Sequence, residues 1–263
     1  MTVESAHPVL GLSDDELTFY HREGYVILRD LFSKAEVDVL ASDVARLIAE
    51  RSDTFHSKNM RVRFKPNVNA SQPVVEVIDP ISDLSNIAKA ICLDKRLTDK
   101  VASICGEACC LFKDKYFCKP AGTDGVPLHQ DWIGWPTFPE SFLTVLLAVD
   151  PFNPSTGATQ VYPRMHSNGY LSPKDGMHHL LKHESMTTAA TCLTLEPGDV
   201  AIFSCFTPHY SDPNSSNGNR RGYFISYNAA SEGGEQWASH YSEFHQWIRS
   251  RYPEDLRGEL EFV

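Results

Sequence analysis

The sequence predicts a mainly β protein with flanking helices, built on a double-stranded β-helix core of the jelly-roll, cupin-like kind. Three observations carry this. From about residue 108 to 230, short apolar runs recur between Gly- and Pro-bearing turns, as the strands of a jelly roll do. One run, Phe142 to Val149, is nearly all apolar, the mark of a strand buried on both faces. The first 105 residues instead carry helix-start signatures and helically spaced apolar side chains. With 263 residues and a hydrophobic content of 42%, the chain can bury a sizeable core. The whole of 1–263 is expected to form one domain, with a helical layer over about 13–105, the β core over about 108–230 and a last helix over about 240–250.

In order, Ser13-Asp14-Asp15-Glu16 is a capping box, so a helix runs to Glu23 and Gly24 ends it in the left-handed conformation. Tyr25 to Leu28 reads as a strand. Ser33-Lys34-Ala35-Glu36 is a second capping box, and Val37, Leu40, Val44, Leu47 and Ile48 continue a helix to about Arg51. Residues 52–80 read as a polar, irregular loop with Arg61, Arg63 and Lys65 close together; a lid that brings a cation to an acidic substrate is the functional alternative. Residues 83–105 read as one helix, stopped at Gly106. Cys109 to Lys119, Ala158 to Tyr162, Thr191 to Leu195, Val200 to Cys205 and Arg221 to Asn228 are further strands. Residues 164–190 form a polar insertion whose histidines, His178, His179 and His183, read as exposed.

A net charge of −10 repels a phosphate backbone, and no basic stripe overrides it, so a nucleic-acid partner is not expected. The N-terminus lacks a basic region followed by an apolar run, and no apolar segment is long enough to span a bilayer. Seven cysteines with no CxxC pair indicate reduced thiols, and a cytoplasmic location follows as the expectation. Oligomeric state is not legible.

The chemistry concentrates in Val126-Pro127-Leu128-His129-Gln130-Asp131-Trp132. In an extended strand, His129 and Asp131 point to one side and can converge on a single metal ion. His209, in Phe206-Thr207-Pro208-His209-Tyr210, is the best third ligand. Two histidines and one carboxylate on one face match the facial triad of non-haem Fe(II) oxygenases. Arg220 follows eleven residues later, where a strand begins, and a guanidinium suits the distal carboxylate of 2-oxoglutarate. Arg221 is the rival, pointing to the opposite face. A zinc hydrolase using the same three ligands and a non-catalytic small-molecule sensor are the competing readings.

These pieces, together with Cys118-Lys119-Pro120, Gly157 to Pro163 and Pro197-Gly198-Asp199-Val200, resemble the phytanoyl-CoA dioxygenase family of Fe(II)/2-oxoglutarate oxygenases from about residue 13 to 230. The chain departs from that family at Pro163-Arg164-Met165-His166, where Pro-Gly-Ser-His is usual. The resemblance implies an Fe(II) and 2-oxoglutarate dependent dioxygenase that consumes O2, releases succinate and CO2, and hydroxylates a small molecule. With Asp131 present, hydroxylation is favoured over halogenation. By the same resemblance Thr144, Ser211 and Lys115 are candidates for the 2-oxoglutarate carboxylates. Trp132 and Trp135 are candidates for an aromatic substrate wall suited to an ammonium group, with Gln130 beside them. The segment Trp132 to Pro136 is similar to that of 2-aminoethylphosphonate dioxygenases, which makes Arg61, Arg63 or Lys65 the candidate phosphonate contact. A secondary metabolite or an acyl-CoA is the alternative substrate.

Overall fold

Both capping boxes form in the computed structural model, which describes residues 11–133 and 138–263. The Ser13 hydroxyl accepts the Glu16 amide and starts α1 (Asp14–Glu23), which Gly24 ends at φ 82°. Ser33 starts α2 (Lys34–Glu50) in the same way. Between them lies β1 (Tyr25–Leu28). The predicted single helix over 83–105 is two, α3 (Asn86–Cys92) and α4 (Lys95–Cys105). The break has a local cause: the Asp94 carboxylate accepts the Arg96 amide at 2.8 Å and caps a new helix.

Residues 52–80 are not simply a loop. They contain β2 (Val62–Lys65) and β3 (Val74–Ile78), an antiparallel pair. Each is too short for its alternation to stand out, and pairing with a neighbouring strand decides the matter. That neighbour is β4 (Cys109–Lys119), with Val77 opposite Phe117. The remaining strands are β5 (Val126–His129), β6 (Leu143–Ala148), β7 (Thr159–Val161), β8 (Thr191–Cys192), β9 (Val200–Ser204), β10 (His209–Ser211) and β11 (Arg220–Ala229), followed by α5 (Trp237–Ser250).

Two antiparallel sheets result. The larger runs β1-β9-β6-β11-β4-β3-β2 and the smaller β5-β10-β7-β8. One core lies between the larger sheet and helices α2 to α4, the other between the two sheets. Strand β6 shows how sequence period sets this up. Leu143, Val145 and Leu147 face the helices, whereas Leu146 and Ala148 face the smaller sheet, so all six residues are buried. Thr144 is the polar exception on the inner face. At roughly 25 cal/mol per Å2 of apolar area removed from water, these two interfaces dominate the folding free energy.

Arg164 adopts the left-handed conformation, φ 67°, which a glycine would take without steric penalty. Its amide donates to the Glu23 carbonyl at 2.9 Å, and its guanidinium lies 3.6 Å from the Glu23 carboxylate. The left-handed turn thus forms here with an arginine in place of a glycine.

Candidate active site

Strands β5 and β10 pair so that His129 lies opposite His209. Asp131 follows β5 directly, and its amide donates to the Cys205 carbonyl at 3.1 Å. The Nε2 atoms of His129 and His209 are each 3.9 Å from Asp131 Oδ1. One ligand atom from each of the three lies within 4.8 Å of the others. Each imidazole donates Nδ1–H to the carbonyl two residues back, Pro127 at 2.7 Å and Thr207 at 3.0 Å. That fixes the tautomer with the Nε2 lone pair facing inward. Burial alone would raise the Asp131 carboxyl, but His209, Lys115 and Lys113 together hold it below the usual carboxylate range. Burial, then His209, pushes His129 down, so it stands neutral. Two imidazole nitrogens and an ionised carboxylate are the donor set a divalent iron takes.

Thr144 sits on this set rather than on the neighbouring carboxylate pocket. Its hydroxyl donates to Asp131 Oδ2 at 2.7 Å. This corrects the expectation that it meets 2-oxoglutarate: its face of β6 points at the aspartate.

Beside the triad is a cavity of about 50 Å3 lined by Arg220, Ser211, Thr159, Lys115 and Phe224. Arg220 is 2% exposed, and among the described residues its Nε has no hydrogen-bond partner. Its guanidinium lies over the rings of Phe152 and Phe117, at 4.7 and 5.7 Å. Burial lowers its pKa to about 9, a measure of how poorly this charge is solvated. A buried cation with an unmet donor is the counterpart of a ligand carboxylate. Arg221 is already committed, donating Nε and Nη2 to the two Asp150 oxygens at 2.8 and 2.9 Å. The Ser211 hydroxyl accepts Lys119 Nζ at 2.9 Å and the Val126 amide at 3.2 Å, so its own proton is free to be donated. Lys119, fully buried opposite Arg220 on β4, was not legible as a site residue; burial, then Arg220, pushes its ammonium down to about 7.

A second cavity of about 490 Å3 opens on the same triad, between β2 to β4, the 164–190 segment and α5. Arg63, Lys65, Lys113 and Lys115 line it, with His178, whose ring lies 5.0 Å from that of His129. Three expected substrate contacts are elsewhere. Arg61 is buried and gives two hydrogen bonds to Asp83, at 2.6 and 2.8 Å, and one to the Val263 carbonyl. Gln130 spends its amide on the Gly169 and Phe206 carbonyls and the Leu171 amide, so it braces a loop. Trp132 is core, 4% exposed among Phe112, Phe138 and Phe142. Trp135 lies outside the described residues. His178 is exposed as the sequence suggested, yet it and the half-buried Lys113 line this cavity, which neither a polar insertion nor a lone strand lysine signals in sequence.

A model of the phytanoyl-CoA dioxygenase (PhyH) family matches residues 20–222. The chain belongs to the phytanoyl-CoA dioxygenase family. As a family member it is a dioxygenase with iron and 2-oxoglutarate as cofactors, and the hydrolase and sensor readings fall away. It is 28% identical over 224 residues to methylphosphonate hydroxylase of Gimesia maris, covering 84% of this chain and 83% of that one. It is 24% identical over 232 residues to 2-aminoethylphosphonate dioxygenase of an uncultured bacterium, with the same coverages, 84% and 83%. Among solved structures, EctD from S. alaskensis with bound Fe superposes with TM-score 0.70 at 22% identity, covering 84% of this chain and 78% of that one. The jelly-roll fold of this PhyH-family chain is thereby shown. Among its described residues, no helix is long and apolar enough to cross a membrane.

Proposed function

We propose that this dioxygenase hydroxylates a small organophosphonate, with 2-aminoethylphosphonate the first compound to try. The observation that carries the reading is charge. Arg63, Lys113 and Lys115 line the larger cavity beside the triad, and among the described residues none has an ion-pair partner. Cations in a cavity wall that outnumber the nearby carboxylates and make no direct ion pair favour an anionic ligand. Lys65 is less available, being 2.8 Å from the Gly125 carbonyl and 3.2 Å from Glu76. Glu76 also lines the cavity and can face an amine. Two relatives act, by name, on methylphosphonate and 2-aminoethylphosphonate.

In this reading His129, Asp131 and His209 hold iron, which with 2-oxoglutarate supplies dioxygen activation coupled to release of succinate and CO2. Arg220 binds the distal carboxylate of the co-substrate from the smaller cavity, and Ser211 donates its hydroxyl proton to the same group. Phe117, Val126 and Phe224 keep water from that pair, which strengthens it. Thr144 holds Asp131 Oδ2, so that Oδ1 stays aimed between the two imidazoles. Lys113 and Lys115 place the phosphonate so that the adjacent carbon faces the triad. The test is succinate release by the purified, Fe(II)-loaded enzyme. Turnover stimulated by aminoalkylphosphonates supports the reading; no succinate above background with any phosphonate overturns it.

A further inference from the structure

Three histidines stand close together in the 164–190 segment, and the fold gives them different surroundings. His179 spends its Nε2 on the Asp175 carboxylate, at 2.9 and 3.0 Å. His183 pairs Nδ1 with the Tyr162 hydroxyl at 2.8 Å and lies edge-on to the Tyr210 ring. His178 is different. Among the described residues its ring nitrogens have no hydrogen-bond partner, and its one ring neighbour is His129, 5.0 Å away. It lines the larger cavity beside the triad, where the charges of Asp131, Lys115 and Lys113 reach it. The segment is tied down on both sides of it. The Met177 amide donates to Asp175 Oδ1 at 3.0 Å, and the Met177 carbonyl accepts the Tyr170 hydroxyl at 3.4 Å. The Leu181 amide donates at 2.8 Å to the carbonyl of Leu128, the residue before His129 on β5. Backbone on both flanks therefore holds His178 at the edge of the triad, with its donor capacity left over.

We infer that His178 is a positioning residue for the substrate head group: it gives a ring N–H to a phosphonate oxygen and makes the site favour a phosphonate over the corresponding carboxylate. The identity of the head group rests on the phosphonate reading above. Lys113 and Lys115, two residues apart on β4, point to one side of their strand. His178 comes from a different wall of the cavity. A phosphonate carries three acceptor oxygens at the corners of a tetrahedron, as a phosphate ester does, so donors from separate walls can each reach one. A carboxylate offers two oxygens in one plane, so a donor placed off that plane is met less well. An imidazole has an N–H in either charge state, so the contact does not depend on its titration. Because the ring leans on His129, a head group held by it stays close to the triad.

The test is anaerobic calorimetry on the enzyme loaded with Fe(II) and 2-oxoglutarate, titrated with 2-aminoethylphosphonate and with its carboxylate counterpart, 3-aminopropanoate. The wild type is expected to bind the phosphonate more tightly. His178→Ala is expected to weaken phosphonate binding about tenfold or more, the scale of one hydrogen bond to a charged group, and to weaken carboxylate binding much less. His178→Gln, which keeps an N–H at similar reach, is expected to recover part of the loss. His179→Ala, next in the chain but paired with Asp175, is expected to change neither affinity. Fe(II) affinity, measured by metal titration, is expected to be the same in the wild type and all three variants. No loss in His178→Ala, an equal loss for both ligands, no recovery in His178→Gln, or weaker Fe(II) binding in His178→Ala would overturn the assignment. Binding of 3-aminopropanoate but of no phosphonate, weakened about tenfold in His178→Ala, would overturn the phosphonate reading and leave His178 as the head-group contact.

Discussion

Thr144 gives its hydroxyl proton to Asp131 Oδ2, and that single bond keeps the carboxylate from rotating away from the two imidazoles. Thr144→Val keeps the volume and removes the donor. Iron affinity is expected to fall about 10–100-fold, measured by metal titration, with the fold intact. Unchanged affinity would remove Thr144 from the site. Arg220→Leu deletes the buried guanidinium, which corresponds to about 2–5 kcal/mol, or at least ~30-fold in the 2-oxoglutarate KM. An unchanged KM would move the role to Lys115 or Lys119. Lys113 offers a pH test. Burial and Lys115 push it down to about 8, against the pull of Asp131 and Asp79, with Arg63 adding repulsion. Its charge, present below that value, is lost as pH rises through it, so phosphonate KM should rise above pH about 8, and Lys113→Met should flatten the rise. At this scale the residues that spacing singled out, His129, Asp131, His209 and Arg220, are ones the fold brings together. The sequence was least legible where a long side chain chooses its partner in three dimensions. Arg61 was free to find Asp83 and Gln130 to find two backbone carbonyls, and neither choice leaves a local trace.

Elements fix which side chains can meet. The two-residue offset of His129 and Asp131 becomes a shared direction only because β5 is extended and paired with β10. Strands β2 and β3 escaped the reading because their stability comes from the edge of β4 rather than from their own composition. Arg61 ties the start of that pair to Asp83 and to the last residue of the chain. Arg61→Ala leaves Asp83 without its buried partner and should destabilise the protein by about 3–5 kcal/mol in denaturant unfolding, without changing substrate KM beyond the loss of folded enzyme. A stable variant with a raised substrate KM would return Arg61 to the substrate site. The helix split at Asp94 was readable in principle, since aspartate is a preferred N-cap residue, but the continuous apolar stripe masked it.

At the scale of the molecule, two antiparallel sheets and a helical layer leave a polar opening with the triad in its wall. The near-continuous apolar run of β6 announced burial on both faces, and the Gly/Pro-punctuated short strands announced the sandwich. What no local pattern announced is that β2, β3 and α5, distant in sequence, would wall one cavity. That follows from which edges the sheets leave unpaired, a property of the whole assembly. The claim on which the rest depends is that His129, Asp131, His209 and Arg220 form one site for iron and a 2-oxo acid. The most direct measurement is the visible absorbance of the Fe(II)-loaded protein on anaerobic addition of 2-oxoglutarate, in the wild type and in Arg220→Leu. A weak charge-transfer band that saturates in the wild type, and needs far more 2-oxoglutarate in the variant, is the expected result. No band at saturating 2-oxoglutarate in the wild type, or the same half-saturation in both proteins, would contradict it.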